Sequence, residues 1–193
     1  KDSIATATFY EMLMGNQDVK IGEIKWGVTI NKAYLPNDNS KYFQTELNLI
    51  DWLRQYSTNQ EEAYVRTFLG RMLFTGEETL KKCSVLSGGE KVRCMVSRMM
   101  LQNPNLLVMD EPTNHLDLES ITAFNNAIID YNGTVLMTSY DHAFVQNTSS
   151  EPGSHHYKGI INPPLISEVK AFNPDKIIVY GWKFKSHLQL IRH

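Results

Sequence analysis

The sequence predicts an α/β fold built on a parallel sheet, and three stretches predict it. Residues 106–109, Leu-Leu-Val-Met, form a short unbroken apolar run, the pattern of a strand covered on both faces. Residues 134–138, Thr-Val-Leu-Met-Thr, repeat it. Ahead of the first run, Ser87-Gly88-Gly89-Glu90 opens a segment in which Val92, Met95, Val96, Met99 and Met100 recur at helical spacing. Amphipathic helix and buried strand thus alternate, as they do in sheets covered by helices.

Each element has its own local reason. Phe9, Met12 and Leu13 mark one face of a first helix, which Gly15 can end. Gly22-Glu23-Ile24-Lys25-Trp26-Gly27 with Val28-Thr29-Ile30 reads as a hairpin or strand pair, with Trp26 read as a strand or core aromatic. Ala33-Tyr34-Leu35 reads as a strand running into the loop Pro36-Asn37-Asp38-Asn39. Leu47, Leu49, Ile50, Trp52 and Leu53 form a helical apolar set ending near Tyr56. Thr58, with Glu61 three residues on, has the form of a cap for a second helix bearing Tyr64, Val65, Phe68, Leu69 and Met72. Gly76 and Glu77 start a short helix. Ser87 caps the next, which Asn103-Pro104-Asn105 stops. Residues 118–130 read as a further helix, closed by the turn Asn132-Gly133. Beyond residue 148 the pattern changes. His155-His156 lies in an expected loop without further metal ligands in view, and residues 176–182 read as a strand.

Bulk properties bound the function. The 193 residues suffice for one domain with a sizeable core, and a net charge of −2 gives no global attraction to nucleic acid or anionic membrane. Two cysteines, Cys83 and Cys94, have no zinc or disulfide spacing, and Cys94 reads as a core or boundary thiol. There is no apolar run of membrane length and no secretory signal, so a cytoplasmic protein without direct membrane insertion is expected. Lys81, Lys82, Lys91, Arg93 and Arg98 surround the diglycine and offer a field for nucleotide or RNA, but Glu77, Glu78 and Glu90 balance them, so most are expected to form a solvated face.

The chemistry concentrates at two places. Gly88 and Gly89 leave bare backbone amides at the positive end of a helix, a site for phosphate. Asp110 and Glu111 follow the strand 106–109, where open α/β sheets bind ligands. Two adjacent carboxylates there suit a metal held through water and a base that orients an attacking water.

These residues resemble the nucleotide-binding domain of ABC ATPases. Leu86-Ser87-Gly88-Gly89-Glu90 is similar to the signature loop, residues 106–110 to the Walker B strand, and residues 114–117 to the D-loop. The stretches 48–56, 68–74 and 85–100 resemble the second nucleotide-binding domain of an ABC-F protein. The resemblance implies a P-loop NTPase-like core with a helical subdomain at about 46–102, in a partial ATP-binding domain at 1–148 followed by a divergent tail at 149–193. It implies ATP and Mg²⁺ as ligands, with Asp110 toward the metal and Glu111 toward the attacking water. Leu86, Ser87, Gly88, Gly89 and Glu90 would face nucleotide, as would Asn37 in place of a sensing Gln, and Asp117 in the D-loop. Tyr140 stands where the family has a catalytic His, with His142 two residues on, and His115 is implied as a D-loop contact across an interface.

The P-loop departs from the pattern. Counting back from Gly15, its Lys falls at Thr6 and its metal-binding hydroxyl at Ala7, with Thr8 beside it and no glycine before. Either the chain lacks an upstream piece, or this site has lost its phosphate grip. The implied partners are a second ABC domain, in the same full-length chain or in a dimer, and the ribosome or its RNA. An ABC transporter's ATP-binding subunit and a degenerate, non-enzymatic pseudo-ATPase are the alternative readings.

Overall fold

Four parallel strands, in the order β2 (Lys32–Leu35), β3 (Leu106–Asp110), β4 (Thr134–Thr138) and β5 (Lys158–Ile160), make the main sheet of the computed structural model. The structure describes residues 3–20, 23–141, 143–144, 158–160 and 177–178. The unbroken apolar runs are explained by burial on both faces. Leu106, Val108 and Leu136 pack with Tyr10 and Leu13 of helix α1 (Ser3–Met14) on one side. Leu107, Met109, Val135 and Met137 join the larger core on the other. That core takes in α4 (Gly88–Gln102) and α5 (Leu118–Ile129).

Helices α2 (Leu49–Arg54) and α3 (Glu62–Arg71) pack with α4 and carry its N-terminus at the carboxyl end of the sheet. Trp52 anchors this layer. It is buried, stacks on Phe43 at 4.6 Å, and donates from Nε1 to the Tyr42 carbonyl at 2.8 Å. Asn48 caps α2 by accepting from the Asp51 amide. The cap of α3 differs from expectation: the helix starts after Glu61, not Thr58. Asn59 Oδ1 accepts the Glu61 amide at 2.9 Å, and that local turn competes with a start at Thr58. Gly76–Leu80 is a 3₁₀ turn closed by a capping box between Thr75 and Glu78.

The expected hairpin at 22–30 is corrected as well. Strand β1 (Ile24–Lys25) pairs in parallel with β6 (Ile177–Ile178), while Gly27 to Ile30 form a turn. Trp26 is half-buried and packs against the α1-side core: Nε1 donates to the Leu13 carbonyl at 3.0 Å, and the Lys32 ammonium sits 4.7 Å from the ring centroid. Of the strand expected at 176–182, β6 lies within the described residues. His142, His155 and His156 lie outside them.

Candidate functional site

The site is built at the carboxyl ends of β3 and β4, which are in register so that Asp110 pairs with Thr138. Asp110 is 4% exposed, and one carboxylate oxygen accepts from the Thr138 hydroxyl at 2.9 Å. Burial pushes its pKa up. The chain then turns sharply: Glu111 has φ of 48°, a left-handed conformation a non-glycine residue adopts at a cost. Two bonds hold it there. Its amide donates to the Thr138 carbonyl at 3.0 Å, and its Oε2 accepts from the Tyr140 amide at 3.2 Å. Glu111 is also pushed up, first by burial and further by Asp110, against the opposing Tyr140 hydrogen bond. Tyr140 therefore meets Glu111 through its backbone, while its side chain is 51% exposed.

The second wall is the start of α4. Ser87 and Glu90 form a capping box: Ser87 Oγ accepts from the Glu90 amide at 3.2 Å, and Glu90 Oε2 accepts from the Ser87 amide at 2.8 Å. The other Glu90 oxygen pairs with Lys81 at 2.8 Å. Glu90 thus orients the loop, while Gly88, exposed, presents its first-turn backbone outward. Leu86 is buried in the large core and fixes the loop from beneath.

A tight turn from Pro112 to Asp117 joins the two walls. His115, with φ of 68°, lies over the diglycine. A methyl group at Gly88 would lie 3.5 Å from the His115 ring, and one at Gly89 would lie 2.6 Å from the His115 carbonyl oxygen. Glycine at 89 is what lets this turn dock. His115 makes that contact within its own chain. Asp117 caps α5 by accepting the Ser120 amide at 2.8 Å, which holds its carboxyl below the ordinary range.

Between the walls lies a cleft of ≈ 480 Å³ reached by Ala7, Asn37, Asp38, Ser40, Lys91 and Asp110, with Gly88 and His115 at its rim. Asn37 meets Asn114 at 3.5 Å, the outer limit of a hydrogen bond. Lys91, Asp38, Ser40 and Thr138 belong to this neighbourhood but were not singled out as site residues from the sequence. For Thr138 the sequence carries no signal, because strand register decides it; for Lys91 the cluster of basic residues near the diglycine was a signal, and helix orientation decides which of them reaches the cleft. Of the other basic residues, Lys81 and Lys82 are paired with Glu90 and Glu46. Arg93 donates to the carbonyls of Met72 and Leu73 and lies over Phe74, and Arg98 lies 3.9 Å from the Tyr56 ring centroid.

The residues fit a hard cation in part. A buried carboxylate with one protein donor and a raised pKa gains from a nearby positive charge. Among the described residues no three His, Cys, Asp or Glu converge. That suits an ion that takes one or two protein oxygens and completes its shell with water and phosphate. Ala7 offers no oxygen, and Thr6 is buried.

Comparison with known proteins gives a consistent result. The family model described as ABC transporter matches residues 7–114. The chain is 55% identical over 177 residues to the uncharacterized ABC transporter ATP-binding protein YkpA of Bacillus subtilis, which spans 91% of this chain and 33% of the relative. It is 31% identical over 189 residues to the probable ATP-binding protein YbiT of Escherichia coli O157:H7, spanning 97% of this chain and 32% of the relative. The chain thus spans about a third of the length of these relatives. Among solved structures, an archaeal ribosome recycling factor aABCE1, crystallised with the ribosomal stalk protein aP1, superposes with a TM-score of 0.62 at 25% identity. That match covers 82% of this chain and 32% of the other. No helix among the described residues is long and apolar enough to cross a membrane.

Proposed function

The chain belongs to the ABC transporter ATP-binding family, and from that premise we propose that it is the ATP-binding domain of an ABC-F type ATPase, acting in the cytoplasm on translation. The observation that carries this reading is that the capped diglycine start of α4 and the acidic end of β3 line the same cleft. Relatives named ATP-binding protein, among them Uup of Buchnera aphidicola at 34% identity, support it. The ribosomal stalk protein bound in the aABCE1 structure is the support for a ribosomal role.

The proposed chemistry is ATP hydrolysis between two such domains, the second from the same full-length protein or from a dimer partner. Ser87 and the amides of Gly88 and Gly89 serve the γ-phosphate bound by the partner domain. Asp110 is the residue that would hold Mg²⁺, which when bound would neutralise charge on the phosphate oxygens. Glu111, aimed by the Tyr140 amide, accepts a hydrogen bond from the attacking water. Its raised pKa makes it the better base. Asn37, which lines the cleft just after β2, would meet water on the bound ion.

With Thr6 and Ala7 in place of an ammonium and a metal-binding hydroxyl, the chain by itself holds triphosphate weakly and turns it over negligibly. Titration of fluorescently labelled ATP into the purified chain tests this; affinity in the micromolar range refutes it. The runner-up is an ATP-binding subunit of a transporter, for which the name of the Bacillus subtilis relative speaks. Ribosome co-sedimentation of the full-length protein with a non-hydrolysable ATP analogue separates the two, since a transporter subunit stays in the supernatant.

A further inference from the structure

We propose that Lys91 supplies, within this chain, the positive charge that holds the polyphosphate of a Mg-nucleotide in the cleft beside Asp110. The inference rests on the nucleotide-binding reading and adds a residue to it. Four observations carry it.

Lys91 lines the same cleft as Ala7 and Asp110, so its side chain borders the space where a phosphate chain would meet the metal carboxylate. The basic residues around it are already engaged: Lys81 and Lys82 in ion pairs, Arg93 on backbone carbonyls, Arg98 on tyrosine rings. Lys91 forms no ion pair within 4 Å with any described residue, although it contributes to the lowered pKa of Asp38, whose carboxylate is held chiefly by Ser40. Finally, Lys91 is the fourth residue of α4. A cation there faces the positive end of the helix dipole, an unfavourable arrangement that an anion in the cleft reverses. The volume of the cleft is in the range that holds a small phosphorylated ligand.

The ligand chemistry follows from the charges. Asp38 and Asp110 repel a bare anion, so the favoured species is a di- or triphosphate already carrying Mg²⁺. Lys91 would meet the phosphate oxygens that the ion leaves open. The ammonium acts as a point charge, and a guanidinium at the same position preserves most of the effect.

Isothermal titration of the full chain with MgATP, magnesium pyrophosphate and adenosine tests the proposal. The unaltered chain is expected to bind the first two weakly and adenosine not at all. Lys91→Ala should weaken both by about tenfold, Lys91→Arg by less than about threefold, and Lys82→Ala, which removes a paired surface cation, by neither. If the unaltered chain binds MgATP and Lys91→Ala binds it equally, the proposal falls while the nucleotide-binding reading stands. If the unaltered chain binds none of the three, Lys91 holds no polyphosphate and the proposal falls, while the two-domain reading, which expects weak binding by the chain alone, stands. An equal loss with Lys82→Ala would assign the effect to general surface charge and also overturn the proposal. Rescue by Lys91→Arg excludes a folding defect as the cause.

Discussion

Gly89→Ala isolates the contact that joins the two walls of the site. The added methyl would lie 2.6 Å from the His115 carbonyl oxygen, a backbone atom. Ordinary contact between those atoms is longer by roughly 0.6–0.8 Å, and steric overpacking of this kind costs about 1–3 kcal/mol. Replacing a helical glycine by alanine returns up to about 1 kcal/mol through propensity, less at the second position of a helix. The net expectation is a loss of about 1–2 kcal/mol, or a melting temperature lower by roughly 2–8 °C for a chain of this size. Two controls bracket it. Gly88→Ala places its methyl 3.5 Å from the His115 ring, an ordinary contact, and should be near neutral. Gly70→Ala, near the end of α3 with nothing within 4 Å, should stabilise by about 0.5–1 kcal/mol. Urea unfolding of the three variants, followed by far-ultraviolet circular dichroism, gives the order. If Gly89→Ala proves as stable as Gly70→Ala, the docking of the 112–117 turn on the helix start is not as described.

Two further outcomes follow from the buried titratable groups. Burial raises the pKa of Asp110, so the folded state keeps its proton to a higher pH than the unfolded chain does. Its contribution therefore becomes destabilising as pH rises through the ordinary carboxylate range toward neutrality. Asp110→Asn should gain stability relative to the parent at pH 7 but not at pH 3.5, read as the difference in urea midpoints; a larger gain at the acidic pH contradicts the assignment. Burial pushes Cys83 up to about 11 and raises Cys94 as well. Both thiols should resist Ellman's reagent in the folded protein at pH 8 and react on unfolding, and rapid reaction in native buffer would place one of them at the surface.

Much of the site was legible because its determinants are local. The Ser87 cap needs only adjacent residues and forms as expected, and the structure adds that Glu90 closes it into a capping box. The runs at 106–109 and 134–138 announce strands buried on both faces, because no other short element hides every side chain. Cys94 occupies the packed position its pattern implied, and Trp26 packs half-buried against the core. Two readings failed where another partner offered equal hydrogen bonding. Asn59 took the Glu61 amide and displaced the cap from Thr58, and β1 found its partner in β6, far along the chain, instead of next door.

What the sequence by itself determined is therefore the set of parts: an amphipathic helix with bare amides at its start, a strand with two carboxylates at its end, and a turn between them. Only the tertiary structure decided their mutual placement. Register across β3 and β4 put the Thr138 hydroxyl on Asp110, and the docking of α4 on the sheet brought Lys91 into the cleft. Spacing along a chain specifies which residues share a face of one element. Which faces of two distant elements meet depends on how their buried surfaces pack, and that information is spread over the whole core.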